Sequence, residues 1–170
     1  MITLTEQTIR SAFVNASRKE VSDLTFPLDF ADTRWDGLDY YGWRDRKQPR
    51  RSYVVVELDG APVAFVLRQT DASTRARPQC SWCQDVNLSN EVVFFSAKRA
   101  GQAGRNGDTV GTLLCADFGC SATVRKLPPV AYVGFDVDAA REERIAELRQ
   151  RARSFATSVL HGAAHTNPGE

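Results

Sequence analysis

This chain of 170 residues contains the stretches Cys80-Ser81-Trp82-Cys83 and Cys115-Ala116-Asp117-Phe118-Gly119-Cys120, and they predict its fold. Zinc prefers four soft ligands in a tetrahedron, and the short spacing within each pair keeps the entropy cost of closing the site low. The 31 residues between the pairs contain no cysteine, and none is left over elsewhere. We predict one structural zinc ion bound by Cys80, Cys83, Cys115 and Cys120.

Other interpretations of the cysteines stay open. Two disulfides would join residues so close in sequence that they would constrain little of the chain. Four buried thiols are possible, and Cys80-x-x-Cys83 has redox-dithiol spacing, although the accompanying βαβ pattern is missing. His161-x3-His165 resembles half of a zinc finger, but 77 residues separate it from Cys83 instead of the expected ~12–15.

The order of elements around the cysteines predicts a treble clef. The first pair lies on a turn, followed by a strand over 91–97, a loop over 98–108 and a strand over 109–114. The second pair then leads into a helix over 121–126, where backbone N–H groups near Cys120 stabilise a thiolate. Four thiolates leave no coordination position for water or substrate, so the predicted zinc site is structural.

The remaining patterns predict an α+β fold with a small antiparallel sheet, short N-terminal helices and a long C-terminal amphipathic helix. Capping boxes at Thr3-x-x-Glu6 and Ser17-x-x-Glu20 begin the first helices, and Asp59-Gly60 predicts a type I′ hairpin. We expect one domain over 1–162 and a disordered tail over 163–170. The parts of this domain are the helices over 1–26, an aromatic connector over 27–51, the hairpin and zinc-binding sheet over 52–127, and a helix over 136–162.

Composition bounds the function. The 22 Lys and Arg balance 21 Asp and Glu, so no overall field directs the chain to nucleic acid or a membrane. With no signal-peptide pattern and no apolar run near ~18 residues, we expect a cytoplasmic protein with reduced thiols. The chain has two histidines, both near its end, so a histidine-based catalytic triad is implausible. We predict a protein without catalytic activity, small-molecule substrate or membrane partner.

Two segments each allow two interpretations. The loop Gly101-x-x-Gly104-x-x-Gly107 lacks the Gly-Lys-Ser/Thr of a nucleotide P-loop. Because basic residues flank this loop, it could bind phosphate or an acidic protein face, or be a plain mobile hairpin loop.

The dense aromatics of the connector either fill a core from an irregular loop or form a surface on which a ligand stacks.

Several further motifs resemble one family. They are Ile9-Arg10-x-x-Phe13-Val14-Asn15, Trp35-Asp36-x-Leu38-Asp39-x-x-Gly42-Trp43-Arg44-Asp45, Cys80-x-x-Cys83, Arg99-Ala100-Gly101-x-Ala103-Gly104-Arg105-x-Gly107 and Val110-Gly111-Thr112-x-x-Cys115-Ala116-Asp117-x-x-Cys120-Ser121. In this order they are similar to the treble-clef domain of elongation factor G-binding proteins, the FusB type or FBP domain, in its stand-alone bacterial form. The resemblance covers about residues 4 to 160.

The resemblance implies a zinc-stabilised binding module whose ligands are the four cysteines. FusB-type proteins bind elongation factor G and help it leave a stalled ribosome, which gives fusidic acid resistance, so the factor and the ribosome are the expected partners. The expected partner surface lies beside the zinc site and comprises Lys98, Arg99, Arg105, Leu113, Arg125 and Lys126. The alternative is an RNA- or ribosome-binding zinc module, in which the same cations contact phosphates and Trp35 and Trp43 stack on bases.

Overall fold

The computed structural model describes residues 1–70, 77–130 and 132–161. They form a five-stranded antiparallel sheet in the order β1-β2-β3-β4-β5. The strands are β1 (Tyr41–Arg44), β2 (Arg51–Leu58), β3 (Ala61–Gln69), β4 (Val92–Lys98) and β5 (Thr109–Cys115). The helices are α1 (Glu6–Ser11), α2 (Arg18–Ser22), α3 (Gly101–Arg105), α4 (Cys120–Arg125) and α5 (Val137–His161), with 3-10 turns at Phe30–Asp32 and Trp35–Gly37. The predicted α+β class is confirmed.

The first helix begins later than predicted. The Thr5 side chain, not that of Thr3, accepts the hydrogen bond that caps α1, from the Thr8 backbone N–H at 3.1 Å. Leu4 is buried in the core just before this cap, so the chain must stay extended until Leu4 has been placed. The second predicted capping box, between Ser17 and Glu20, is present with both hydrogen bonds.

The β2–β3 hairpin forms as predicted. Asp59 has a φ of 51° and Gly60 a φ of 79°, the two left-handed residues of a type I′ turn. The turn sets a register in which Val54 and Phe65 are opposite each other, and both are fully buried.

Strand β1 and helix α3 correct the sequence analysis. The connector was expected to be irregular, but Tyr41–Arg44 pairs with β2, with Trp43 opposite Tyr53. A strand of four residues that includes a glycine is too short for a period of two to be recognised. The predicted loop over 98–108 contains α3, whose glycines argue against a helix by propensity. Gly104 is required there, because a Cβ atom would lie 1.8 Å from the Arg99 carbonyl oxygen.

Two hydrophobic clusters cover opposite faces of the sheet. Helix α5 packs on one face through a buried stripe made up of Ile145, Leu148, Ala152, Phe155, Ala156 and Val159, close to the stripe that the sequence predicts. On the other face, the N-terminal segments and the connector pack against Tyr53, Val55, Ala64 and Val66.

The aromatics of the connector fill this second cluster. Trp43 is buried, lies 5.1 Å from Tyr53 between ring centroids, and donates from Nε1 to the Thr25 carbonyl at 3.0 Å. Trp35 is half-buried and packs on Tyr41, with centroids 5.1 Å apart. Of the two interpretations, core filling therefore agrees with the structure.

Asn15 joins the two halves of the sheet. Strands β3 and β4 pair only at Arg68–Ser96 and Gln69–Phe95, and the Asn15 amide bridges the strands beyond these pairs. It accepts the Val66 backbone N–H at 2.8 Å and donates to the Lys98 carbonyl at 2.8 Å. A side-chain amide therefore satisfies backbone groups where ladder pairing ends.

Three predictions fall on residues beyond those the structure describes: the helix end at Gly162, the tail over 163–170 and the pairing of His165. Within 1–70, 77–130 and 132–161, no helix is both long and apolar enough to cross a membrane.

Candidate metal centre

The four cysteines converge on one point. Their Sγ atoms all lie within 4.8 Å of one another, with 3.6 Å between Cys80 and Cys120 and 3.7 Å between Cys83 and Cys115. A tetrahedral zinc ion with Zn–S bonds of about 2.3 Å requires S···S distances of about 3.8 Å. All four residues are buried. The donor set, its spacing and its burial fit one zinc ion.

Short backbone contacts bring the first pair against the sheet. The Gln84 N–H donates to the Cys80 carbonyl at 3.0 Å and closes the turn, and Gln84 itself has a φ of 50°. The Ser81 N–H donates to the Leu113 carbonyl at 2.9 Å, on the outer edge of β5. This edge contact holds the turn beside the end of the strand that carries Cys115.

The second pair lies where β5 ends and α4 begins. Cys115 is the last residue of β5, and Cys120 is the first residue of α4. Between them Phe118 has a φ of 59°, which reverses the chain direction within the four intervening residues. Strand, turn and short helix follow the order predicted for a treble clef, and α4 begins at Cys120.

The thiols affect one another's protonation. The pKa of Cys80 is lowered because the thiols of Cys115, Cys120 and Cys83 donate hydrogen bonds to its sulfur. The pKa of Cys120 is raised because hydrogen bonding with the Cys115, Cys80 and Cys83 sulfurs, together with burial, favours its protonated form. Zinc binds thiolates, so a bound zinc ion would take the place of these shared protons.

Polar hydrogens and positive charge surround the sulfur atoms. The Trp82 backbone N–H lies 3.4 Å from Cys80 Sγ. Three arginines donate to backbone carbonyls of the metal-binding segments. They are Arg44 to Ala116 at 2.9 Å, Arg151 to Trp82 at 3.1 Å and Arg144 to Thr123 at 3.3 Å. Since four thiolates and one zinc ion carry a net charge of −2, these groups favour burial of the complex.

Aromatic side chains close the site to solvent. The Trp82 indole donates to Thr112 Oγ1 at 3.0 Å, and its ring lies 4.8 Å from the Tyr40 ring between centroids. The Tyr40 hydroxyl donates to the Phe118 carbonyl at 3.1 Å, and burial raises the Tyr40 pKa well above its usual range. A closed, four-sulfur site of this kind stabilises a fold and offers no position for a substrate.

A buried carboxylate was missed by the sequence analysis. Asp39, whose side chain has no exposed surface, pairs with Arg125 and with Arg149, and its N–H donates to Ser121 Oγ at 3.0 Å. The signal available in the sequence was Asp39 itself, an acidic residue among the buried aromatics of the connector. Its partners are 82 to 110 residues away, beyond the reach of local patterns.

The structure places the predicted partner residues in two groups. Lys98, Arg99 and Arg105 line one groove of about 430 Å³, whereas Leu113 lies on β5 and does not line it. Lys126 lines a second groove beside the first cysteine pair, while Arg125 pairs with Asp39. Arg99 also has an internal contact, because its guanidinium donates to the Ser158 carbonyl. The geometry therefore does not bring all six together.

Comparisons with known proteins agree with this geometry. The family model for the FBP C-terminal treble-clef zinc-finger matches residues 8–159. No curated protein and no solved structure gives a significant match. The match covers nearly the whole chain and spans all four cysteines, whose close grouping is consistent with one structural zinc ion. The chain belongs to the FBP C-terminal treble-clef zinc-finger family.

Proposed function

We propose that this chain is a non-catalytic, zinc-stabilised adaptor that binds elongation factor G and promotes its release from the ribosome, as in fusidic acid resistance. The family match supports a FusB-type binding module. The closed four-sulfur site supports a structural role for the metal. Since elongation factor G acts in the cytoplasm, the proposal places the chain there.

The observation that carries the proposal is an uncovered part of the sheet. Phe94 on β4 and Leu113 on β5 are directly opposite each other, are only partly buried and belong to neither hydrophobic cluster. The ring of Phe94 lies over Gly111, where a Cβ atom would be 2.3 Å from the ring. An apolar pair packed on bare backbone is a suitable anchor for a protein partner.

Cations lie on the same face, farther along the two strands. Lys98 is opposite Thr109, four residue pairs beyond Phe94 and Leu113, or roughly 13 Å along the strands. Arg105, on α3, is exposed and bonds only to Gln102 among the described residues. No acidic group of the described chain pairs with either cation, so both are free to attract an acidic partner and raise the association rate.

The other predicted partner residues stay in the proposal with different roles. Arg99 contributes to the same groove while its guanidinium holds the end of α5. Arg125 and Lys126, at the end of α4, would form a second contact region. Lys126 is exposed there beside Leu127, a large apolar side chain with 60 % of its surface accessible.

An RNA- or ribosome-binding module is the second candidate. The groove lined by Lys98, Arg99 and Arg105 also contains Arg68, which pairs with Glu20 at 2.8 Å, so its remaining cations could contact phosphates. However, Trp43 is buried and is not available for stacking on bases. Salt separates the two candidates, because binding through several phosphates weakens steeply with added salt and an apolar protein interface does not.

Variants of the proposed surface test the assignment. Lys98→Ala combined with Arg105→Ala should slow association with elongation factor G, and Leu113→Ala should speed dissociation. The rates are measured by surface plasmon resonance with zinc-loaded protein. Arg46→Ala combined with Lys47→Ala is the matched control, because it removes two exposed charges at the β1–β2 connection. If the double variant of Lys98 and Arg105 associated with elongation factor G as fast as the control variant does, this surface would be removed from the proposal.

The release step needs a separate experiment. Ribosomes carrying elongation factor G held by fusidic acid are pelleted with increasing amounts of the chain. The proposal predicts that the factor moves to the supernatant, and that the Lys98 and Arg105 variant moves less of it. A chain that binds the free factor but leaves it on the ribosome would limit the function to binding.

A further inference from the structure

The side-chain amide of Asn90 contacts the metal centre without being one of its ligands. Its Nδ2 atom lies 3.6 Å from Cys115 Sγ and 3.0 Å from Thr123 Oγ1, so each of its two hydrogens has an acceptor. Thr123 Oγ1 donates to the Gly119 carbonyl at 3.2 Å, next to the ligand Cys120. We propose that Asn90 is an outer-sphere positioning residue of the zinc centre: it stabilises the Cys115 thiolate and fixes the end of β5 against α4.

The charge of the centre explains why this donor matters. A zinc ion with four thiolates carries a net charge of −2, and burial makes that charge costly unless polar hydrogens face the sulfur atoms. Cys115 is 1 % exposed, so solvent does not supply such a hydrogen. Cys80 receives a backbone N–H from Trp82. Among the described residues, Asn90 is the one side chain that donates an N–H group to a cluster sulfur.

The loop before β4 holds Asn90 in place. The buried carboxylate of Asp85 accepts the Ser89 backbone N–H at 3.0 Å and the Ser89 hydroxyl at 2.6 Å. On the other side, the Ala116 N–H donates to the Glu91 carbonyl at 2.9 Å. Both neighbours of Asn90 are therefore fixed, one to the loop and one to the residue after Cys115. A restrained amide gives its hydrogen bonds at little entropy cost.

Two substitutions remove the donor in different ways. Asn90→Ala deletes the amide, and Asn90→Asp keeps its shape but places a carboxylate against the thiolate. Zinc affinity, measured by competition with a chromophoric chelator, should fall about 10–100-fold in both variants, and further in Asn90→Asp. Asn87→Asp adds the same charge at an exposed position of the same loop and should leave the affinity unchanged.

A spectroscopic readout separates stabilisation of the thiolate from mere loss of structure. In Co²⁺-loaded protein, the thiolate-to-cobalt charge-transfer band should shift to lower energy in Asn90→Ala, because a sulfur without its hydrogen bond gives up electron density more readily. Thr123→Val keeps the contact from Asn90 to Cys115 but removes the hydrogen bonds from Asn90 to Thr123 and from Thr123 to Gly119. It should weaken zinc binding while leaving the band in place.

The proposal is overturned if Asn90→Ala binds zinc with wild-type affinity and has an unshifted cobalt band. It is also overturned if Asn87→Asp weakens binding as much as Asn90→Asp, since a general charge effect would then suffice. If Asn90→Asp does not fold, the Asn90→Ala and Thr123→Val pair decides. None of these measurements depends on elongation factor G.

Discussion

Arg149 on α5 donates from Nε to the buried carboxylate of Asp39 at 2.8 Å. The same carboxylate pairs with Arg125 at the end of α4, and the Asp39 N–H donates to Ser121. One aspartate thus joins the connector to the helix that follows the second cysteine pair and to the C-terminal helix. The zinc-binding segment is therefore tied to the rest of the domain by charge as well as by apolar packing.

Asp39→Asn should destabilise the protein by about 2 kcal/mol, which is less than the loss of a partner in a fully buried ion pair because both arginines reach solvent. The free energy of unfolding is measured by urea denaturation of zinc-loaded protein. Asp36→Asn, an exposed change in the same connector, is the control and should have little effect. Equal stability of the two variants would show that the Asp39 pairs contribute nothing.

Removal of zinc should unfold the region over 80–126. Tyr40, Trp82 and Phe118 pack around the cysteines, so their near-ultraviolet dichroism should collapse on chelation and return when zinc is added. Limited proteolysis should then cut within the region. An unchanged spectrum and digestion pattern, after metal analysis has verified the loss of zinc, would contradict a folding role for the metal.

Gly42→Ala, on strand β1, should disturb the metal centre through Phe118. A Cβ atom at Gly42 would lie 2.6 Å from the Phe118 ring, which is buried between the ligands of the second pair. We expect a loss of about 1–3 kcal/mol in stability, as for other overpacked cores, with weaker zinc binding. Gly37→Ala is the control, because nothing lies within 4 Å of its Cβ position. Thermal unfolding and chelator competition measure the two effects.

Asp45 should give the domain a pH-dependent contribution to stability. Burial raises the pKa of Asp45, but hydrogen bonds from the Tyr53 hydroxyl at 2.5 Å and the Lys47 and Gln48 N–H groups outweigh it, so this pKa lies below 3.8. A lowered folded-state pKa contributes stability above about 3.8, and that stability is lost as the pH falls through the folded-state value. Asp45→Asn should therefore cost stability at pH 7 and progressively less in acid.

Urea denaturation at pH 7 and at several acidic values measures this difference. Asp32→Asn is the control, because it removes an exposed carboxylate. Its free energy of unfolding should differ little from that of the wild type at every pH. If Asp45→Asn lowered the free energy of unfolding by the same amount at every pH, the lowered pKa of Asp45 would be contradicted.

The cluster of four cysteines and helix α5 could be predicted because each has a local signature. Cysteine pairs with short spacing suit few structures, and the stripe from Ile145 to Val159 repeats at the helical period over several turns. Strand β1 and helix α3 could not be predicted, because each contains a glycine that lowers its strand or helix propensity. Gly42 and Gly104 are required for close packing against Phe118 and Arg99, respectively. The roles of Asn15, Asp39 and Asn90 depend on contacts between segments distant in sequence, which no local pattern reveals.

Binding to elongation factor G is tested most directly by titration calorimetry of the zinc-loaded chain with the factor, without ribosomes, at moderate and at high salt. We expect saturable binding that persists at high salt, because Phe94 and Leu113 provide an apolar anchor on the same face as the cations. No binding by folded, zinc-loaded protein would contradict the proposed function. Binding that disappears at high salt would contradict the apolar anchor at the centre of the surface.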